Sequence, residues 1–137
     1  QHATEIKDKS KDKFHKFLSN YFNFGLLITL IIAIITCFLS DFIIEIFADE
    51  KIDYSSKILS LLSFIPFLAM LNFKNVVYML VNDLKSKLNK ATFYTLLLFL
   101  INSLILTNIY GGYGLAYSLL LTEIFSFLIH YFLINRK

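Results

Sequence analysis

An all-α, polytopic membrane bundle is the fold class this sequence predicts, and three observations predict it. Of 137 residues, 57% are hydrophobic, against roughly 45 to 50% in an ordinary soluble domain. Charged residues make up 17% and gather in short clusters, leaving uncharged runs at Phe17 to Ser40, Ile58 to Phe73 and Ala91 to Thr122. Runs of this size match the ~20 apolar residues that cross a bilayer as a helix. The basic clusters border these runs, where Lys and Arg act as topology signals.

The first element, residues 1–20, is a basic segment that sets Lys7, Lys9, Lys11, Lys13 and Lys16 against Glu5, Asp8 and Asp12. It hands over to Phe14, Phe17, Leu18, Tyr21 and Phe22, the make-up of a helix lying in the membrane interface. It lacks the short apolar core and cleavage site of a signal peptide, and with Gln1 in place of an initiator Met the sequence reads as a piece of a longer chain.

Residues 21–137 form the membrane region, with spans expected at about 21–44, 58–82, 91–110 and 114–134. The first opens on aromatics suited to an interfacial belt. Gly25, Thr29, Ala33, Thr36 and Ser40 recur along it on one face, a small-residue surface for close helix packing. Asp41 and Glu45 share a face at its far end and read as a solvated helix end. A polar loop at 49–53 leads to the second span, which Pro66 kinks by removing a backbone donor. A Lys-rich loop over 83–90 follows. The last uncharged run is too long for one span, and Gly111-Gly112-Tyr113-Gly114 divides it into two.

Orientation follows from the basic residues. Lys85, Lys87 and Lys90, the N-terminal lysines, and Arg136 with Lys137 fall on one side, while Lys51 and Lys57 stand alone on the other. By the positive-inside rule both termini face the cytoplasm, which requires an even number of spans and agrees with four.

Several function classes find no support. The single cysteine, Cys37, permits no internal disulfide and no cysteine metal framework. The net charge of +3 sits at span borders and not on an aromatic-interleaved surface for nucleic acid. His2, His15 and His130 are scattered, and neither a zinc-protease helix, a phosphate loop nor a nucleophile elbow is present. An enzyme is not expected, nor a metal or other cofactor.

Polar residues inside spans are costly in hydrocarbon and usually face protein or a water-filled cavity. Glu123 stands near the middle of the fourth span, with Ser126 and His130 on its face. Such a face suits proton or cation handling, and the alternative is a hydrogen bond that joins two helices. Lys74 lies about eight residues, or roughly 12 Å, before the end of the second span. It reads either as a cavity residue for a phosphate-bearing substrate or as a snorkelling interface residue. Asn72, Asn75 and Asn82 share a stripe on that span, as do Thr95 and Asn102 on the third. Interhelical hydrogen bonding accounts for both stripes without a substrate.

The order of features resembles a known family. Ser40-Asp41-Phe42-Ile43-Ile44-Glu45-Ile46-Phe47, then Phe64 to Leu71 with its early Pro66, the Lys-rich loop, Tyr110-Gly111-Gly112-Tyr113-Gly114-Leu115-Ala116 and the pair Thr122-Glu123 are similar to the C-terminal portion of bacterial polysaccharide flippases. These are the O-antigen (Wzx-type) members of the multidrug, oligosaccharidyl-lipid and polysaccharide exporter superfamily. The resemblance implies two pseudo-symmetric helix bundles around a central cavity, this chain supplying the last four spans of the second.

It further implies a multi-pass protein of the bacterial inner membrane that moves an undecaprenyl-diphosphate-linked oligosaccharide, an O-antigen or capsule repeat unit, by alternating access. Its partners would be that lipid-linked oligosaccharide, membrane lipids and the remaining helices of the parent protein. Lys74, Glu123, His130, Asn75 and Asn102 are the candidates for substrate binding or ion coupling. A cation-coupled multidrug exporter of the same superfamily and a non-transporting membrane scaffold are the alternative readings. A Glu123 and a Lys74 that face cavities favour transport; tight burial of both favours the scaffold.

Overall fold

The computed structural model describes the backbone from His2 to Asn135 and the side chains from Ser19 to Asn135. The side chains of the N-terminal lysines, His2 and His15, together with Arg136 and Lys137, lie outside the described residues. Among the described residues six helices follow one another: α1 (His2–Phe38), α2 (Ser40–Ala48), α3 (Asp53–Leu62), α4 (Ile65–Val81), α5 (Lys85–Tyr110) and α6 (Gly112–Asn135). Among the described residues four stretches are long and apolar enough to cross a membrane: Ser19–Phe38, Asp53–Val81, Lys85–Tyr110 and Gly112–Asn135. The shortest has 20 residues, which at ~1.5 Å per residue spans about 30 Å, the thickness of a hydrocarbon core.

Element borders depart from the sequence expectation in ways the local chemistry explains. The first span closes at Phe38 and not near residue 44, the chain bending at Leu39 (φ −96°, ψ 8°); beside the bend the Ser40 hydroxyl donates to the Cys37 carbonyl at 3.0 Å. Such a local bond competes with the helical ladder. Residues 40–48 form the separate helix α2, on which Asp41 and Glu45 are exposed, with Lys51 3.9 Å from Glu45.

The second span starts at Asp53, earlier than expected, with Asp53 in the first turn of α3, where a negative charge complements the helix dipole. It consists of two helices, α3 and α4, and Pro66 stands in the first turn of α4. Having no N–H, Pro66 leaves the Leu62 carbonyl without its helical donor. Hydrogen bonds from Ser63 to Leu59 (2.9 Å) and from Leu68 to Phe64 (3.1 Å) join the two pieces across the break.

The expected loop over 83–90 is mostly helix. Only a tight turn through Asp83 (φ 56°) separates α4 from α5, and Lys85, Lys87 and Lys90 lie in the first turns of α5. Lysine is a good helix former, so hydrophobicity marks where the membrane begins and not where the helix does. The glycine-rich break is likewise a single residue. Gly111 (φ 60°, ψ −135°) occupies a region open in practice to glycine, and α6 begins at Gly112.

Helix α4 packs on α1, α5 and α6, and α6 packs on α3, α4 and α5, forming with α5 the most extensive contact, a hairpin. The small-residue face of α1 is the one turned inward: Ala33 is 0% exposed, and a Cβ on Gly25 would clash with the Met70 Cε on α4; Ser40, which opens α2, is buried as well. In α6 the buried positions include Gly114, Ser118, Thr122, Ser126 and His130, one every fourth residue. A Cβ on Gly114 would lie 1.9 Å from the Leu106 carbonyl oxygen of α5. The interior is thus made mostly of small and polar side chains, with Phe22 and Met79 as large buried exceptions, while other large ones such as Phe24, Leu104 and Phe132 point outward. That pattern is the inverse of a soluble core and belongs to helices packed in lipid.

Candidate functional site

The centre of the arrangement is a contact between the second and fourth spans. Asn72 of α4, 7% exposed, directs its amide nitrogen at α6. There it donates to the Glu123 carbonyl at 3.0 Å and to the Glu123 carboxylate Oε2 at 2.5 Å. The carbonyl can only accept, so the Asn72 amide is fixed with its nitrogen toward Glu123 and its Oδ1 turned away. That oxygen is buried and has no partner among the described residues.

One turn and two turns further along α6 stand Ser126 and His130. His130 is 4% exposed, and its Nδ1 lies 2.7 Å from the Ser126 carbonyl, which assigns the Nδ1 hydrogen to that bond. The Nε2 is buried and unpartnered among the described residues, as are the hydroxyls of Thr122 on α6 and Thr95 on α5.

All these groups line one cleft of about 480 Å³ between α4, α5 and α6, whose walls include Phe73, Phe99 and Leu119. Glu123 is half-buried and opens into it. A carboxylate, an amide oxygen, two hydroxyls and an imidazole nitrogen in an apolar cleft can accept hydrogen bonds from a hydroxyl-rich ligand, or hold a proton or a monovalent cation. No cluster of three or more His, Cys, Asp or Glu stands ready for a metal among the described residues.

The five sequence-derived candidates divide. Glu123 and His130 belong to this cleft. Lys74 and Asn75 line a different one, of about 380 Å³, between α1, α4 and α6. Asn102 is half-buried, two helical turns beyond Thr95, and lines neither. The asparagine stripe on α4 also divides: Asn72 reaches α6, Asn75 faces the second cleft, and Asn82 donates to the Tyr78 carbonyl of its own helix at 2.8 Å.

A helix-joining hydrogen bond at Glu123 and interhelical bonds along the asparagine stripe are expected from the sequence, and the Asn72–Glu123 bond is of that kind; the pairing itself, and the place of Thr95 and Thr122 in the cleft, are absent from the sequence-derived set. A signal for the α6 groups does exist, since Gly114, Ser118, Thr122, Ser126 and His130 recur at every fourth position between apolar residues.

Fold and cleft define a multi-pass helical membrane protein whose interior is polar at mid-span depth. The profile of a family described as polysaccharide biosynthesis protein matches residues 5–137, nearly the whole chain, and the chain belongs to that family. No curated protein and no solved structure matches it.

Proposed function

We propose that this protein is a flippase of the O-antigen type, moving an undecaprenyl-diphosphate-linked oligosaccharide across the bacterial inner membrane by alternating access. In this reading it performs no enzymatic reaction, works with the remaining helices of a larger two-bundle carrier, and has both termini in the cytoplasm. Family membership supports the polysaccharide class. The observation that carries the transport reading is the cleft itself: Glu123 faces an open, acceptor-lined space instead of being sealed between helices, as a scaffold would have it. Secondary transporters place their sites at this depth. Phe73 and Phe99 provide flat apolar walls, and Asn72, Thr95, Thr122 and His130, each with a buried polar atom unpartnered among the described residues, line the same cleft, a combination suited to sugar rings with their hydroxyls or to a coupling cation held by Glu123.

The test is complementation. The full-length protein, expressed in a bacterium lacking its own oligosaccharide flippase, restores surface polysaccharide, and Glu123→Gln at equal membrane level on an immunoblot does not. Full restoration by Glu123→Gln would reduce that residue to packing. Failure of the unaltered protein would favour the drug-exporter or scaffold alternatives.

A further inference from the structure

The second cleft carries a chemistry of its own. It lies at one end of the bundle, where the first span begins at Ser19 and the second and fourth close near Asn82 and Asn135. Among the described residues its polar lining is rich in donors and holds no acidic residue. Lys74 makes no ion pair among the described residues. The Asn75 Nδ2 beside it is buried without a partner, and Tyr78 and Tyr131 add phenol groups. Phe22, Val81 and Ile134 supply apolar wall.

A lysine without an acidic partner, in a cleft whose lining adds an amide and two phenols, calls for an anionic acceptor, because a cation held among apolar walls needs a counter-charge. The place at the span ends and the apolar wall call for one that carries a chain. We infer that this cleft is a binding site for the phosphodiester headgroup of an anionic phospholipid, with Lys74 and Asn75 on the phosphate and the tyrosines at the headgroup rim. Basic pockets between transmembrane helices bind anionic headgroups in this manner, and tyrosine favours the interface. The inference is independent of what the protein transports, since the site shares no lining residue with the cleft at Glu123.

The experiment is native mass spectrometry of the full-length protein in detergent, titrated with phosphatidylglycerol or phosphatidylcholine. The unaltered protein retains phosphatidylglycerol in preference to phosphatidylcholine. Lys74→Gln lowers that retention at least about fivefold, the worth of one lysine at a lipid surface, and Asn75→Leu lowers it as well. Lys85→Gln, which removes a nearby cation outside the cleft, leaves retention unchanged and controls for general charge. Circular dichroism checks that each variant is folded. Equal retention by Lys74→Gln and the unaltered protein, or no preference for phosphatidylglycerol, overturns the assignment. So does displacement of phosphatidylglycerol by equimolar farnesyl diphosphate, which would give the site to the carried lipid.

Discussion

Asn72 and Glu123 are the residues on which the interior turns. An interhelical hydrogen bond between membrane helices contributes about 0.6 to 2 kcal/mol, and Asn72 makes two of them to one partner residue. Replacing Asn72 by Leu removes both and leaves the carboxylate facing a methyl group. We expect a lower thermal midpoint in detergent, a loss of roughly 1 to 2 kcal/mol, and impaired polysaccharide export at normal membrane level. An unchanged midpoint would show that the bond contributes nothing to packing. Glu123 was legible in the sequence because a charge amid apolar residues is conspicuous. Its partner was not. Three asparagines share one helix, and which of them meets α6 depends on how α4 is rotated, a quantity that periodicity alone does not contain. For the same reason Lys74 and Glu123, both visible as polar intruders, could not be assigned to separate clefts before the helices were packed.

Each of the two glycine positions governs a whole element. Gly114 lets α6 lie directly on the backbone of α5, and a methyl group there meets the Leu106 carbonyl at 1.9 Å. Backbone cannot swing aside as a side chain can, so Gly114→Ala forces the hairpin apart, at a cost of about 1 to 3 kcal/mol or more. Gly111→Ala places a side chain at φ 60° with ψ −135°, a strain of about 1 to 3 kcal/mol. Both variants should show reduced membrane levels and lower thermal midpoints; a Gly114→Ala protein as stable as the original would contradict the packing described. In the second span, Pro66→Ala returns a donor to the Leu62 carbonyl. Spin labels at Asp53 and Val81 should then move apart as α3 and α4 straighten, whereas an unchanged distance would mean that neighbouring helices, not proline, set the break. The sequence marks Pro66 and the glycine turn plainly, because both act through their own backbone. The bend at Leu39 and the early start of α5 are hidden from it: no proline or glycine marks the first, and the second rests on helix-forming lysines that hydropathy counts as loop.

At the scale of the whole molecule, the four spans and their lipid-facing exterior follow directly from composition, because bilayer thickness sets the length of every crossing helix. Packing partners do not follow, since small-residue faces are alike and any could meet any other. The positive-inside pattern predicts that, in a Cys37→Ser background, cysteine at Lys87 reacts with an impermeant maleimide only from the cytoplasmic face, and cysteine at Asp49 only from the opposite face. Reaction of both from one side would break the four-span topology. The central claim, that the α4–α5–α6 cleft serves the movement of a lipid-linked sugar, is tested most directly by reconstitution. The full-length protein in proteoliposomes, supplied with fluorescent polyprenyl-diphosphate-linked oligosaccharide, should expose the label to an external quencher faster than empty vesicles do. Glu123→Gln should abolish that acceleration while the protein remains folded and inserted. Equal rates for the original and the variant, or no acceleration by either, would contradict the account.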